Sequence, residues 1–87
     1  SEGVSLYVDC ADQAEVDRYW GKLVAAGAKP TACGWIKDPF GLSWQITPNI
    51  LLQLVSHKDT EIANRAQHAM LKMKKIDIVA LKAAAGV

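Results

Sequence analysis

Val4, Leu6, Val8 and Cys10 alternate with Ser5, Tyr7 and Asp9, a period of two that predicts a strand buried on one face and polar, with one aromatic, on the other. The period then lengthens. Asp12 with Glu15 three residues on forms a helix start of the capping-box kind, and Val16, Tyr19, Trp20, Leu23 and Val24 fall on one helical stripe that Gly27 ends. Gly21 inside this helix costs roughly 1 kcal/mol relative to Ala, which close packing on a sheet would explain. Lys29 to Ala32 is short and contains Pro30, so it predicts a brief strand at an edge.

The stretch CGWIKDPFGLSWQITP, Cys33 to Pro48, is the centre of the chain. Asp38-Pro39-Phe40-Gly41 has Asp, Pro and Gly where a type I turn wants them. With Gly41 left-handed in a bulge, Asp38 pairs with Leu42, Ile36 falls opposite Trp44, and Trp35 opposite Gln45. In that register Gly34, Ile36, Leu42, Trp44 and Ile46 form an apolar face. Cys33, Trp35, Lys37, Ser43, Gln45 and Thr47 form the polar one. A tighter loop would set Trp35 beside Trp44 and mix Lys37 with the apolar set, so polarity favours the bulge.

Beyond the hairpin the period is helical. Thr47 as N-cap and Pro48 at the first helical position open a short helix through Leu51, Leu52, Leu54 and Val55 that ends near His57. Asp59 or Thr60 caps a longer helix with Ile62, Ala66, Ala69, Met70 and Met73 on one stripe, and Lys72, Lys74 and Lys75 suit its C-terminal end. Asp77 caps a last helix containing Ile78, Leu81 and Ala84, with Gly86 past its end.

Composition narrows the classes. Eighty-seven residues make one domain, residues 1–87, with a core small enough that oligomerisation is expected. A hydrophobic content of 51% points the same way. Ten basic against nine acidic residues, with no clustering of basic and aromatic side chains, argue against nucleic acid as a partner. The sequence holds no run of 18 apolar residues and no signal-peptide pattern, so no membrane partner is expected and the expected location is cytoplasmic. Cys10 and Cys33 read as free thiols. The chain enters a strand almost at its first residue, which suggests a piece of a longer protein.

The order strand, helix, short strand, hairpin with D-P-x-G at its tip resembles a βαβββ module of the vicinal oxygen chelate superfamily, which includes glyoxalases, extradiol dioxygenases and bleomycin or fosfomycin resistance proteins. VSLYVDCADQAEVDRYW, CGWIKDPFGLSWQITP and AMLKMKKIDIVALKAA are similar to the second half of PhnB-like, or demethylubiquinone methyltransferase-like, proteins. The resemblance implies an α+β fold: a module over residues 1–48 and a helical extension over 49–87. It further implies two modules edge to edge around a ligand cleft, so this chain would recruit a second copy or a missing N-terminal module. Metal-using members place a His and a Glu at positions that correspond here to Gly3 and Gln45. Neither is a good ligand for a divalent cation, and no metal or other cofactor is expected.

The candidate ligand-binding residues are Ser5, Tyr7, Trp35, Ser43 and Gln45, all on polar strand faces, with catalytic residues unassigned. The same aromatics also suit packing beneath the C-terminal helices or against a partner subunit. Cys33 has no neighbouring His or helix start to activate it, His57 and His68 lack a second ligand at metal spacing, and the Met70 and Met73 pair suits a core. The function expected is therefore small-molecule binding with an unknown reaction. The alternatives are a metal-dependent isomerase, transferase or dioxygenase whose ligands come from another module, and a purely structural assembly role. A methyltransferase is weaker, because no glycine-rich loop follows a strand to hold a nucleotide-like methyl donor.

Overall fold

The computed structural model describes residues 4–87, so Gly3 lies outside the described residues. Strand β1 (Ser5–Cys10) leads into helix α1 (Gln13–Ala25), then β2 (Lys29–Pro30), β3 (Trp35–Lys37) and β4 (Ser43–Pro48). Helices α2 (Asn49–Val55), α3 (Thr60–Leu71) and α4 (Ile78–Ala85) follow. The four strands form one mixed sheet in the order β1-β4-β3-β2, with β1 parallel to β4 and the other neighbours antiparallel. This is the expected α+β arrangement of a βαβββ unit followed by helices. No described helix is long and apolar enough to cross a membrane.

The hairpin takes the bulged register. Trp35 lies opposite Gln45, Ile36 opposite Trp44 and Lys37 opposite Ser43, and the Asp38 amide donates to the Leu42 carbonyl at 2.9 Å. Gly41 has φ +88°, the left-handed conformation that a side chain would resist. Ile36 and Ile46 are buried together with Cys10, Val16, Trp20 and Ala28, and Val8, Leu23 and Trp44 pack against them. Alternation along the strands has put the apolar set beneath α1.

Helix α1 begins and ends by side-chain and backbone capping. Asp12 Oδ1 accepts from the Glu15 amide at 2.9 Å, while Glu15 Oε1 reaches back to the Ala11 amide at 2.6 Å. At the other end the Ala28 amide donates to the Leu23 carbonyl and the Gly27 amide to the Val24 carbonyl, with Gly27 at φ +98°, the paired bonds of a Schellman stop. The buried stripe is narrower than the sequence suggests. Val16 and Trp20 are buried, but Tyr19 and Val24 are exposed on the flank, where the Arg18 guanidinium carbon sits 5.2 Å from the Tyr19 ring centroid. Helix α1 packs mainly on β4, which leaves Leu6 on the outer strand, and Val4 just before it, exposed. Gly21 allows no close packing either: a Cβ there would meet nothing within 4 Å.

The C-terminal helices close a second core of Leu51, Leu54, Ala66, Ile76, Leu81 and Ala85, with Ile62, Ala69, Met70 and Met73 against it. Asp59 and Asp77 cap α3 and α4, as their positions foretell. One boundary and one buried position shift. Thr47 and Pro48 complete β4 and α2 starts at Asn49, because both residues still pair with β1, opposite Asp9 and Cys10. In α4 the buried position is Ala85, while Ala84 faces out.

The 73–78 segment between α3 and α4 joins the two cores. Cys33 and Gly34, immediately before β3, take left-handed conformations, φ +56° and +84°, and their amides donate to the Met73 and Lys74 carbonyls at 2.8 and 2.7 Å. Gly34 is required there, since a Cβ would lie 3.0 Å from the Ile46 carbonyl oxygen and 3.1 Å from the Ile76 side chain. On the helix side, Gln13 Nε2 donates to the Ile76 carbonyl at 3.0 Å and Gln13 Oε1 accepts from the Ile78 amide at 2.8 Å. Lys75 forms an ion pair with Asp17 at 2.9 Å, so this lysine serves the α1 contact rather than the end of α3.

Candidate functional site

The face of the sheet turned away from α1 carries the polar residues of every strand. Register places Tyr7, Gln45 and Trp35 side by side across β1, β4 and β3, and Ser5, Ser43 and Lys37 side by side in the next row. All five residues expected to bind a ligand therefore share one face, with Gln45 in the middle. Tyr7 and Trp35 stand two inter-strand spacings apart, roughly 10 Å. Tyr7 is 46% exposed and Trp35 37%, more than two large aromatics retain in a finished core.

The amide between them is already oriented. Gln45 Nε2 donates to Ser5 Oγ at 2.9 Å, which leaves the Gln45 carbonyl oxygen free to accept. Beyond Trp35 the chain is fixed by Thr31, whose amide and hydroxyl both donate to the Trp35 carbonyl, at 3.0 and 3.1 Å. The floor of the face is thus rigid backbone pairing, and its relief comes from two rings and one oriented amide.

A divalent cation does not fit this residue set. Gln45 offers a neutral amide oxygen, and among the described residues no group of three His, Cys, Asp or Glu side chains is placed to hold a metal ion. Cys10 offers no nucleophile to this face. Burial, then the Glu15 and Asp9 carboxylates, push the Cys10 thiol up, away from thiolate. Cys33 is half-buried in its left-handed turn, unbonded to Cys10. His57 accepts from the Asp59 amide at 2.9 Å and so takes part in the start of α3.

A concavity of about 560 Å³ lies elsewhere, between α3 and α4 and walled by Asn64, Arg65, His68, Lys72, Met73 and Ala84. None of the five residues lines it. Arg65 there is engaged, donating to the Ala85 carbonyl from Nη2 at 3.0 Å and pairing with Glu61 at 3.6 Å. The sheet face by contrast is one wall, and becomes a cleft only when something stands opposite.

Two features escaped the sequence. Lys29 pairs directly with Lys37, which brings a second lysine onto the row of Ser5 and Ser43. The signal was the short strand at Lys29, but its register could not be fixed from two residues. Trp44 Nε1 bonds to Asp38, a contact that requires the bulged turn to bring side chains six residues apart together.

No curated protein matches the chain. The family described as 3-demethylubiquinone-9 3-methyltransferase matches residues 1–47, the stretch from before β1 to the penultimate residue of β4, and so covers the helix and all strands that build the polar face. With more than half its length matched, and with the βαβββ unit in place, the chain belongs to this 3-demethylubiquinone-9 3-methyltransferase-like family of the PhnB and glyoxalase superfamily.

Proposed function

We propose that the polar sheet face is one wall of a small-molecule site, closed by a second module that is either another copy of this chain or a further part of the same protein. The observation that carries this reading is the Tyr7–Gln45–Trp35 row: two half-exposed rings flank an amide that Ser5 holds in one orientation. Apolar walls with a few placed polar groups are the usual make-up of a ligand pocket. A planar body lying over Gln45 would touch both rings and accept or donate one directed hydrogen bond. Ser43, beside Ser5, supplies a second hydroxyl.

The test is a thermal-shift and fluorescence screen with small aromatic and amphipathic molecules, run on the wild type and on Trp35→Phe. A ligand of the folded state raises the melting temperature by mass action, by ~2.7 kcal/mol of stability at a hundredfold excess over its dissociation constant. Ligands of this face should quench a part of the emission that is missing in Trp35→Phe. Sedimentation of the same samples shows whether a second copy supplies the opposite wall. A broad screen without hits on an assembly that buries Tyr7 and Trp35 would leave the aromatics as interface residues and overturn the reading.

A further inference from the structure

Lys29 and Lys37 are directly opposed across the antiparallel β2–β3 pair. Lys37 is two residues from Trp35 on one strand, so both lysine side chains leave the sheet on the face of the Tyr7–Gln45–Trp35 row. Together with Ser5 and Ser43 they complete the adjacent row across all four strands. Like charges directly opposite each other destabilise a strand pair. Among the described residues neither lysine has an acidic partner, the ion pairs being Arg18–Glu15, Arg65–Glu61 and Lys75–Asp17.

Two bland accounts fall short. Asp38 follows Lys37, but its oxygens are taken by the amides of Phe40 and Leu42 and by the Trp44 indole. A lysine on an edge strand guards against unwanted strand pairing, which explains Lys29 but not a second lysine set opposite it on the inner strand. The separation from the aromatic row is two residues along the strand, about 7 Å, the span of a ring bearing one charged substituent.

We infer that the ligand of this face is an anion: a planar or aromatic body over Gln45, with a carboxylate or phosphate held between Lys29 and Lys37. This rests on the sheet-face reading above and adds the charge of the ligand to it. Two ammonium groups converging on one anion turn a repulsive pair into charge-assisted hydrogen bonds.

The experiment titrates the full chain, as isolated, with benzyl alcohol, phenylacetate, benzyl phosphate and benzylamine, followed by calorimetry and by amide chemical shifts. The proteins are the wild type, Lys29→Gln, Lys37→Gln and the double variant. At least one anion should bind the wild type about tenfold more tightly than the alcohol, as a charged hydrogen bond in a half-exposed site would give, with the amine weakest. The preference should weaken at high ionic strength and vanish in the double variant while alcohol binding is unchanged. Unliganded Lys29→Gln should melt no lower than wild type, since it relieves repulsion. Which anion wins decides between carboxylate and phosphate. Equal affinity for alcohol and anions, or an anion preference that survives in the double variant, overturns the assignment and leaves the sheet-face reading standing. Failure of all four compounds to bind overturns the anion assignment, and the sheet-face reading is then decided by the broad screen described above.

Discussion

The indole of Trp44 donates from Nε1 to Oδ2 of Asp38 at 3.0 Å, across the loop that joins β3 to β4. Oδ1 of the same carboxylate accepts from the Phe40 and Leu42 amides, both at 2.9 Å. One side chain thus closes the turn, sets the bulge and fixes the ring that packs toward α1.

These bonds, the Trp44 indole foremost, hold the Asp38 carboxyl below its ordinary value. A depressed folded-state pKa contributes stability that is fully present above the unfolded-state value and is lost as pH falls through the folded-state value. Asp17, lowered by Gln13 and then by Lys75, acts in the same direction. The melting temperature should therefore fall on acidification through and below the ordinary carboxylate range. In a carboxylate NMR titration Trp44→Phe should raise the Asp38 pKa, and an unchanged value would remove the indole as the cause.

Trp44 packs against the core under α1, while Trp35 stands on the opposite face and is more than a third exposed. Trp44→Ala should cost about 3 kcal/mol, the low end for truncating a core aromatic, because part of the ring is open to solvent. Trp35→Ala should cost clearly less. Denaturant melts that gave the opposite order would mean the two faces are exchanged.

Glycine positions give opposite signs. Gly21→Ala adds a methyl group that meets nothing in a solvent-facing helix position, and should stabilise by about 0.5–1 kcal/mol. Gly34→Ala drives a Cβ onto the Ile46 carbonyl and Ile76 at φ +84°, and should cost on the order of 2–3 kcal/mol. Thermal or urea unfolding of the pair measures both at once, and a destabilised Gly21→Ala would point to a contact made only in an assembly.

Gln13→Ala removes the amide that brackets Ile76 and Ile78 and leaves both backbone groups without that partner. A loss of roughly 1–3 kcal/mol is expected. Hydrogen exchange should quicken first at Ile78 and the Gly34 amide rather than in β1 or β4. Uniform acceleration instead would show that the segment opens only with the whole fold.

The strand pattern and turn chemistry make the sheet legible in the sequence, because polarity alternates cleanly from Gly34 to Thr47 and only one register keeps Lys37 off the apolar face. The grouping of Ser5, Tyr7, Trp35, Ser43 and Gln45 on one face followed from that register. What stayed hidden depends on packing between distant segments. The width of the α1 stripe could not be read, since Tyr19 has the right period but lies exposed on the flank of the helix. Nor could the left-handed turn at Cys33, which is stabilised by carbonyls forty residues away in sequence. The two-residue strand β2 is too short to carry a pattern, and so its lysine was missed.

The family match ends at residue 47, but the hydrogen bonding of the sheet does not close there. A chain cut after Pro48 would lose the Met73 and Lys74 carbonyls that receive the Cys33 and Gly34 amides, and the Ile76 side chain that fills the space Gly34 leaves. With nothing to receive them, Cys33 and Gly34 would have no reason to keep two consecutive left-handed conformations, and the entry into β3 would be free to slide. Since Trp35 is the next residue, the 73–78 segment, well past the matched region, helps to set the height of its ring above Gln45.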